Sequence, residues 1–346
     1  MRIDVGILGA TGIVGQHLVR LIERHPWFEV KWVAASERSV GKSYGEATSW
    51  RMTTPMPDAV RNLRVDDCVP TNAPQLVFSA LDAGPAREIE PAFASIGHIV
   101  VSNASAFRMT GDVPLLLPEV NADHAQLAEK QAARGWKGRI YTNGNCSAIT
   151  LLLALAPVER AFGLKNVLVT TMQAISGAGY PGVPAMDILG NVIPYIKNEE
   201  EKLEEETQRV LGVYRDGRII PGSFGVSAQC NRVPVLDGHT QCVSVELVKK
   251  ASLEEMREAW TNFRGAVQGR DLPSAPAHPV VFRDEIDRPQ PRLDVERGGG
   301  MTVFVGRARK CPILDYKFVA LGHNTVRGAA GAALLNAELV KSNGGL

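Results

Sequence analysis

Long apolar runs are missing: no stretch reaches the roughly 20 residues that cross a bilayer, so the reading excludes a membrane-spanning helical protein. Charge of one sign is missing too. Thirty-eight Lys and Arg stand against 37 Asp and Glu, a net charge of +1, so no global field draws the chain to nucleic acid or to a membrane surface. Cysteine is sparse, scattered and odd in number: Cys68, Cys146, Cys230, Cys242 and Cys311. That excludes a disulfide framework and predicts a reduced, cytoplasmic protein. The first strand begins at about Arg2 and leaves no room for a signal peptide ahead of it. His239 and Cys242 are the one pair with ligand-like spacing; with no second pair, no metal site is predicted. Repeats and low-complexity segments are also absent. What remains is a chain of 346 residues, 45% hydrophobic and 22% charged, suited to two globular domains.

The chain opens with a buried strand, Asp4 to Leu8, then Gly9-Ala10-Thr11-Gly12-Ile13-Val14-Gly15, then a helix over His17 to Arg24. A G-x-x-G-x-x-G turn between strand and helix is a variant of the dinucleotide fingerprint. Its glycines allow a tight turn and bring backbone N–H groups to a pyrophosphate at the helix N-terminus. The next strand, Glu29 to Ala35, ends at Ser36-Glu37-Arg38-Ser39. A hydroxyl and a guanidinium there suit a 2′-phosphate, so NADP is expected over NAD; an inward Glu37 would favour NAD. Residues 41 to 72 read as loops and short strands. Leu76 to Ala80 and Ile99 to Ser102 are further buried strands, with a helix over Ala86 to Ile96 between them. Alternating strands and helices predict a doubly wound parallel sheet. Ligands collect at the carboxyl ends of such strands, where Ser79, Ala80, Asn103 and Arg108 fall. An extended stretch over Val113 to Asn121 and a helix over Ala125 to Arg134 follow.

Arg139-Ile140-Tyr141 then runs into Thr142-Asn143-Gly144-Asn145-Cys146-Ser147, and a long apolar segment runs out of it. This reads as strand, tight turn and helix, with Ser147 as N-cap and Pro157 kinking or ending the helix. Cys146 at the mouth of a helix would have its thiolate stabilised, and the same N–H groups could hold an oxyanion. Val167 to Ala174 looks like a strand of a second, antiparallel sheet whose face is expected to be a subunit interface. It ends in a glycine-rich loop containing Ser176 and Gly177. Asn198 is expected to cap an acidic helix in which Glu199 and Lys202 share a face. Arg232 and His239 flank an expected hairpin and so face one cleft. Asn324 opens a closing helix of small residues, expected to pack back on the first domain.

Taken together, Leu8 to Gly15, Ser102-Asn103-Ala104-Ser105, Asn145-Cys146-Ser147, Gln173 before Ser176-Gly177-Ala178-Gly179, Glu199-Glu200-Glu201-Lys202, Arg232 with His239, and Asn324-Thr325-Val326-Arg327-Gly328 resemble the aspartate-β-semialdehyde dehydrogenase family across essentially the whole chain. The compact length and the Ser-Asn-Ala-Ser wording resemble its archaeal and fungal branch. The resemblance implies a Rossmann-type NADP domain (1–145 and 324–346), a catalytic and dimerisation α+β domain (146–323), and homodimers or homotetramers. It implies reduction of L-4-aspartyl phosphate to L-aspartate 4-semialdehyde, in lysine, threonine and methionine biosynthesis. Cys146 would be the nucleophile, His239 the acid/base and Gln173 the group that orients the acyl-enzyme. Arg232 would bind the substrate carboxylate and Glu199 its amino group, with Glu200 as the alternative register. Lys202, Asn103 and Arg108 would hold phosphate, with Asn145 in the same substrate set. The cofactor set is Gly9, Thr11, Gly12, Ile13, Val14, Ser36, Arg38, Ser39, Ser79, Ala80, Ser176, Gly177 and Asn324. N-acetyl-γ-glutamyl-phosphate reductases and malonyl-CoA reductases resemble this family in fold and in the Cys/His pair. Intact Cys146, His239 and Gln173 argue against a non-catalytic NADP-binding regulator.

Overall fold

A computed structural model describes residues 2–346. The opening pattern folds as predicted into β1 (Ile3–Leu8), α1 (Ile13–Ile22) and β2 (Phe28–Ala34), the helix starting earlier than the sequence suggests because Gly12 is its N-cap. Next come β3 (Val65–Asp66), β4 (Leu76–Ser79), α2 (Ala83–Ile96), β5 (Ile99–Ser102), β6 (Leu115–Leu116) and β7 (Arg139–Asn143). All pairings in this seven-stranded sheet are parallel, in the order β3-β2-β1-β4-β5-β7-β6. The order reverses beside β1, so a crevice opens at the carboxyl ends of β1 and β4, where doubly wound sheets take their ligands.

Two local expectations fail here. The stretch expected to be extended over Val113 to Asn121 is the short β6 followed by a helical turn at Pro118–Asn121, with Pro118 at its first position. The helix expected over Ala125 to Arg134 is a 3₁₀ run over Ala122–Arg134.

The long helix after β7, α3, spans Cys146–Phe162. Its N-cap is Asn145 and not Ser147: the Asn145 side-chain oxygen Oδ1 accepts the N–H groups of Ser147 and Ala148. Pro157 neither ends nor divides it. A proline inside a helix costs about 3 kcal/mol, but every residue from Ser147 to Val158 is buried. Packing on all sides outweighs one missing hydrogen bond.

The remaining elements are β8 (Leu164–Gln173), α4 (Glu199–Val210), the hairpin β9 (Val213–Arg215) and β10 (Arg218–Ile220), β11 (Gly225–Arg232), β12 (His239–Leu247), α5 (Leu253–Thr261), β13 (Val280–Arg283), β14 (Val303–Lys310) and β15 (Tyr316–Gly322). The second sheet is six-stranded, in the order β11-β8-β12-β15-β14-β13. It is mixed rather than antiparallel: β11 runs parallel to β8, and β13 runs parallel to β14. The hairpin expected between Arg232 and His239 does not form, because β8 lies between the two strands. The connecting loop crosses the end of β8, where Val233 N–H donates to Gln173 O and Ile175 N–H to Val235 O.

Asn324 leads into a π-turn at Val326–Ala330 and then α6 (Gly331–Ser342). As predicted, this segment returns to the first domain: Val326, Ala333, Leu334, Ala337 and Leu339 share one apolar cluster with Val5, Leu76, Val101 and Tyr141. Leu151, Leu152, Leu155 and Val158 of α3 pack instead with Val167, Val243, Phe318 and Trp260, in a second cluster under the mixed sheet. No helix among the described residues is long and apolar enough to cross a membrane.

Candidate active site

The site forms where the two domains meet, around the first turn of α3. Cys146 is the first helical residue, half-buried, and its Sγ lies 3.2 Å from His239 Nε2. His239 opens β12 and is fully buried. Its Nδ1 accepts the Ala174 N–H at 3.1 Å, which leaves Nε2 as the protonated nitrogen of the neutral ring, so the ring offers an N–H to the sulfur.

The sheet order explains what joins them. Gln173 and Arg232 are register partners at the ends of β8 and β11, and His239 starts β12 on the other side of β8. Three strand ends thus lie side by side, with buried Gln173 donating to Thr171 Oγ1 at 3.3 Å. Arg232 is buried, with Nη1 donating to Ala174 O at 2.8 Å. The glycine-rich loop closes over both: a Cβ on Gly177 would lie 2.9 Å from Arg232 Nη1 and 3.0 Å from His239 Cε1. Asn324 fastens that loop, donating to Ser176 Oγ at 2.8 Å while accepting the Gly238 N–H at 2.8 Å.

The acidic helix resolves its register. Glu199 is buried and accepts Asn145 Nδ2 at 2.9 Å. Glu200 turns to β11 and accepts the Cys230 N–H at 2.8 Å. Lys202 lies 3.8 Å from Glu199. Asn198 sits at the cap position but in the left-handed region, with φ of 56°, and its side chain makes no cap, contrary to expectation.

Asn103, Arg108 and Asn143 come together at the ends of β5 and β7. Asn103 accepts Asn143 Nδ2 at 3.2 Å and donates to Ser79 O at 3.0 Å. Arg108 is buried; Nη2 donates to Asn103 O at 2.7 Å and Nη1 to Glu206 at 2.9 Å. Glu206 is a residue that the sequence reading missed. It passed for part of a solvated acidic face, although it lies seven positions after Glu199, on the same face of the helix. Gly328 was noted only as part of a motif. A Cβ there would lie 2.5 Å from Cys146 Cβ, so only glycine lets the π-turn press against Cys146.

The resting electrostatics differ from the expected thiolate. The Cys146 thiol is pushed up to about 12, first by desolvation and then by the Glu199 carboxylate; Arg108, Arg232 and the Ser147 N–H oppose this with less effect. His239 is pushed down to about 3, first by burial and then by Arg232 and His323. Both shifts favour the neutral forms, thiol and imidazole.

The second expected set lines the crevice of the parallel sheet. Gly9 has φ of +73°, and a Cβ there would lie 2.7 Å from Ala80 O. Thr11, Gly12, Ile13 and Val14 form the turn into α1, whose N-terminus carries no side-chain cap. Ser36 and Arg38 are exposed beyond β2, while Ser39 is buried. Ser79 ends β4 and Ala80 follows it, the Ala80 N–H donating to Leu8 O. Among the described residues no group of three or more His, Cys, Asp or Glu side chains could hold a metal ion.

A parallel-sheet dinucleotide domain joined to a mixed-sheet domain, with cysteine and histidine at the seam, defines a dehydrogenase of the semialdehyde type. Residues 4–128 match the semialdehyde dehydrogenase NAD-binding domain, and residues 155–327 match the semialdehyde dehydrogenase dimerisation domain. The chain is 51% identical to the aspartate-semialdehyde dehydrogenase of Methanothermobacter thermautotrophicus, over 98% of this chain and 99% of that one. It is 49% identical to that of Archaeoglobus fulgidus, over 98% of each. A crystal structure of the Candida albicans enzyme with NADP superposes with a TM-score of 0.92 at 40% identity, covering 100% of both chains. The chain belongs to the aspartate-semialdehyde dehydrogenase family.

Proposed function

We propose that this protein reduces L-4-aspartyl phosphate to L-aspartate 4-semialdehyde with NADPH, through a thioester on Cys146, as a step in the biosynthesis of lysine, threonine and methionine. The observation that carries the reading is the 3.2 Å contact between Cys146 and His239 at the open end of α3, ringed by Glu199, Arg232 and Arg108. A free amino acid needs a carboxylate for its ammonium and a guanidinium for its carboxylate, and Glu199 and Arg232 supply that pair.

The residues suit the steps in turn. An ammonium bound at Glu199 cancels the charge that most opposes ionisation of Cys146 after desolvation itself. The sulfur attacks the acyl carbon, the carbon–oxygen bond to phosphate breaks, and the departing phosphate takes the thiol proton. Arg108, Lys202 and Asn103 hold that phosphate. Gln173 orients the thioester. His239 offers its Nε2 proton to the oxygen or sulfur on which negative charge develops as the semialdehyde forms. Bound NADPH supplies the hydride. Its pyrophosphate fits the Gly9 to Val14 turn, where a side chain at residue 9 would fill the cradle and the helix N-terminus is uncapped. Ser36, Arg38 and Ser39 suit its 2′-phosphate. Ser79, Ala80, Ser176, Gly177 and Asn324 complete the cofactor set. We assign residues 1–145 and 324–346 to the cofactor domain and 146–323 to the catalytic one. Assembly as a homodimer, with a homotetramer as the larger alternative, fits the match to a dimerisation domain.

The test is NADP reduction by the purified protein given L-aspartate 4-semialdehyde, with and without phosphate. Rapid phosphate-dependent reduction is expected. Cys146→Ser should abolish it while leaving NADP binding intact, and near-normal turnover in that variant would overturn the covalent mechanism.

A further inference from the structure

Glu206 is 2% exposed and has no part in the chemistry above, yet both its oxygens are committed at the site. One accepts the main-chain N–H of Asn145 at 2.6 Å, and the other accepts Arg108 Nη1 at 2.9 Å. We propose that Glu206 is a positioning residue that ties the nucleophile turn to the guanidinium of the phosphate subsite, so that Cys146 and the phosphate of the substrate are held in one fixed relation. The phosphate half of this proposal rests on the function proposed above; the tie to the Cys146 turn does not.

The hydrogen-bond accounting around Asn145 carries the first half. Its Oδ1 caps α3, its carbonyl accepts the Ile149 N–H, and its Nδ2 reaches Glu199. The main-chain N–H is the last polar group of that residue, and Glu206 takes it. The nucleophile turn is therefore held to α4 at two points two turns apart, Glu199 and Glu206. Gly144 eases the approach, since a Cβ there would make a tight 3.3 Å contact with Glu206 Oε2.

Arg108 carries the second half. A guanidinium has five N–H groups. Glu206 takes one from Nη1 and Asn103 O takes one from Nη2. One N–H on each terminal nitrogen remains, the fork that a phosphate oxygen pair accepts. Nε is shielded and has no partner, so the orientation of that fork depends on Glu206 and on the Asn103 carbonyl. An ion pair present only for stability would need no second bond to the turn before Cys146.

Gln at this position has one acceptor oxygen for two donors and must leave Asn145 or Arg108 unpaired. Asp keeps both oxygens but is one methylene shorter. In the phosphate-dependent assay, E206Q should raise the KM for inorganic phosphate about 5-fold or more and lower kcat about 10-fold or more, because an interaction that orients the reacting groups is lost. The KM for NADP should stay within about 2-fold, and E206D should recover part of the phosphate KM. A readout that needs no substrate is the pH profile of Cys146 alkylation by iodoacetamide, taken on a background with the other four cysteines replaced. Its midpoint should move to lower pH in E206Q, because Arg108 then faces the sulfur without its counter-charge. Unchanged phosphate KM in both variants, with kcat reduced only in proportion to the folded fraction, would overturn the proposal. So would an unmoved alkylation profile. If the wild-type protein shows no phosphate-dependent turnover, the proposed function and the phosphate half fall. The alkylation profile then decides the Glu206–Arg108 pair, and the exchange protection of the Asn145 N–H, expected to be lost in E206Q if the tie exists and kept if it does not, decides the tie to the Cys146 turn.

Discussion

Replacing Gly328 by Ala should disable the enzyme while barely unfolding it. In a helical segment the change to Ala is favourable by about 1 kcal/mol, and Gly328 does not have a positive φ that would penalise a side chain. The contact opposes this. The new Cβ would lie 2.5 Å from Cys146 Cβ and 2.8 Å from Cys146 Cα, whereas ordinary carbon contacts are about 3.5–4.0 Å. These neighbours belong to the start of a buried helix and cannot swing aside, so α3 and the π-turn must separate by roughly 1 Å. Overpacking of this kind costs about 1–3 kcal/mol. Set against the helix gain, the net loss is about 0–2 kcal/mol, a fall in Tm of a few degrees. The catalytic loss is far larger, because a shift of about 1 Å in a reacting group can cost about 100-fold in rate. Thermal melting and kcat measured on the same preparation check the reasoning. A variant with wild-type kcat, or one whose activity loss is matched by wholesale unfolding, would refute it.

Arg327 and Glu119 are both fully buried and joined by two parallel bonds of 2.8 Å. Arg327→Met strands a buried carboxylate and should cost about 3–5 kcal/mol in denaturant unfolding, while adding Glu119→Leu should recover most of it; a single variant within about 1 kcal/mol of wild type would contradict this. Glu90 is buried at the back of β5, bonded by Ser102, and burial pushes its carboxyl up from 4.5 to about 7. The folded protein therefore keeps a proton that the unfolded chain releases above about 4.5, so the Glu90 contribution is most favourable below that pH, weakens up to about 7, and then stays about 3 kcal/mol less favourable. Glu90→Gln should remove that slope from the urea midpoint measured between these pH values, and parallel curves for the two proteins would show that Glu90 does not set it.

What the sequence made legible was local. The Gly9 to Gly15 turn and the turn before Cys146 each lie within a few consecutive residues between a strand and a helix, so spacing alone revealed their strand–turn–helix form. The choice of Asn145 over Ser147 as cap was not visible, since both residue types cap helices and they stand two positions apart. Nor could sequence choose among three consecutive glutamates; the helix start at Glu199 decides which carboxylate faces Asn145. Arg232 and His239 were rightly paired in one cleft for the wrong reason. Their short separation mimics a hairpin, but pairing with the distant β8 prevails. Glu206 was hidden because an acidic helix reads as solvated until its neighbours in space are known.

The return of the C-terminal segment has a consequence for biogenesis. The apolar face of the parallel sheet is covered by Val326 and by α6, which leave the ribosome later than the strands they cover and later than the whole mixed sheet. Domains usually fold in order of synthesis. Here the first domain cannot close until the segment from Val326 onward has been made, and the π-turn that presses on Cys146 arrives with the same segment. A nascent chain halted before Val326 would expose a bare hydrophobic sheet to chaperones and proteases, and Cys146 would lack one wall.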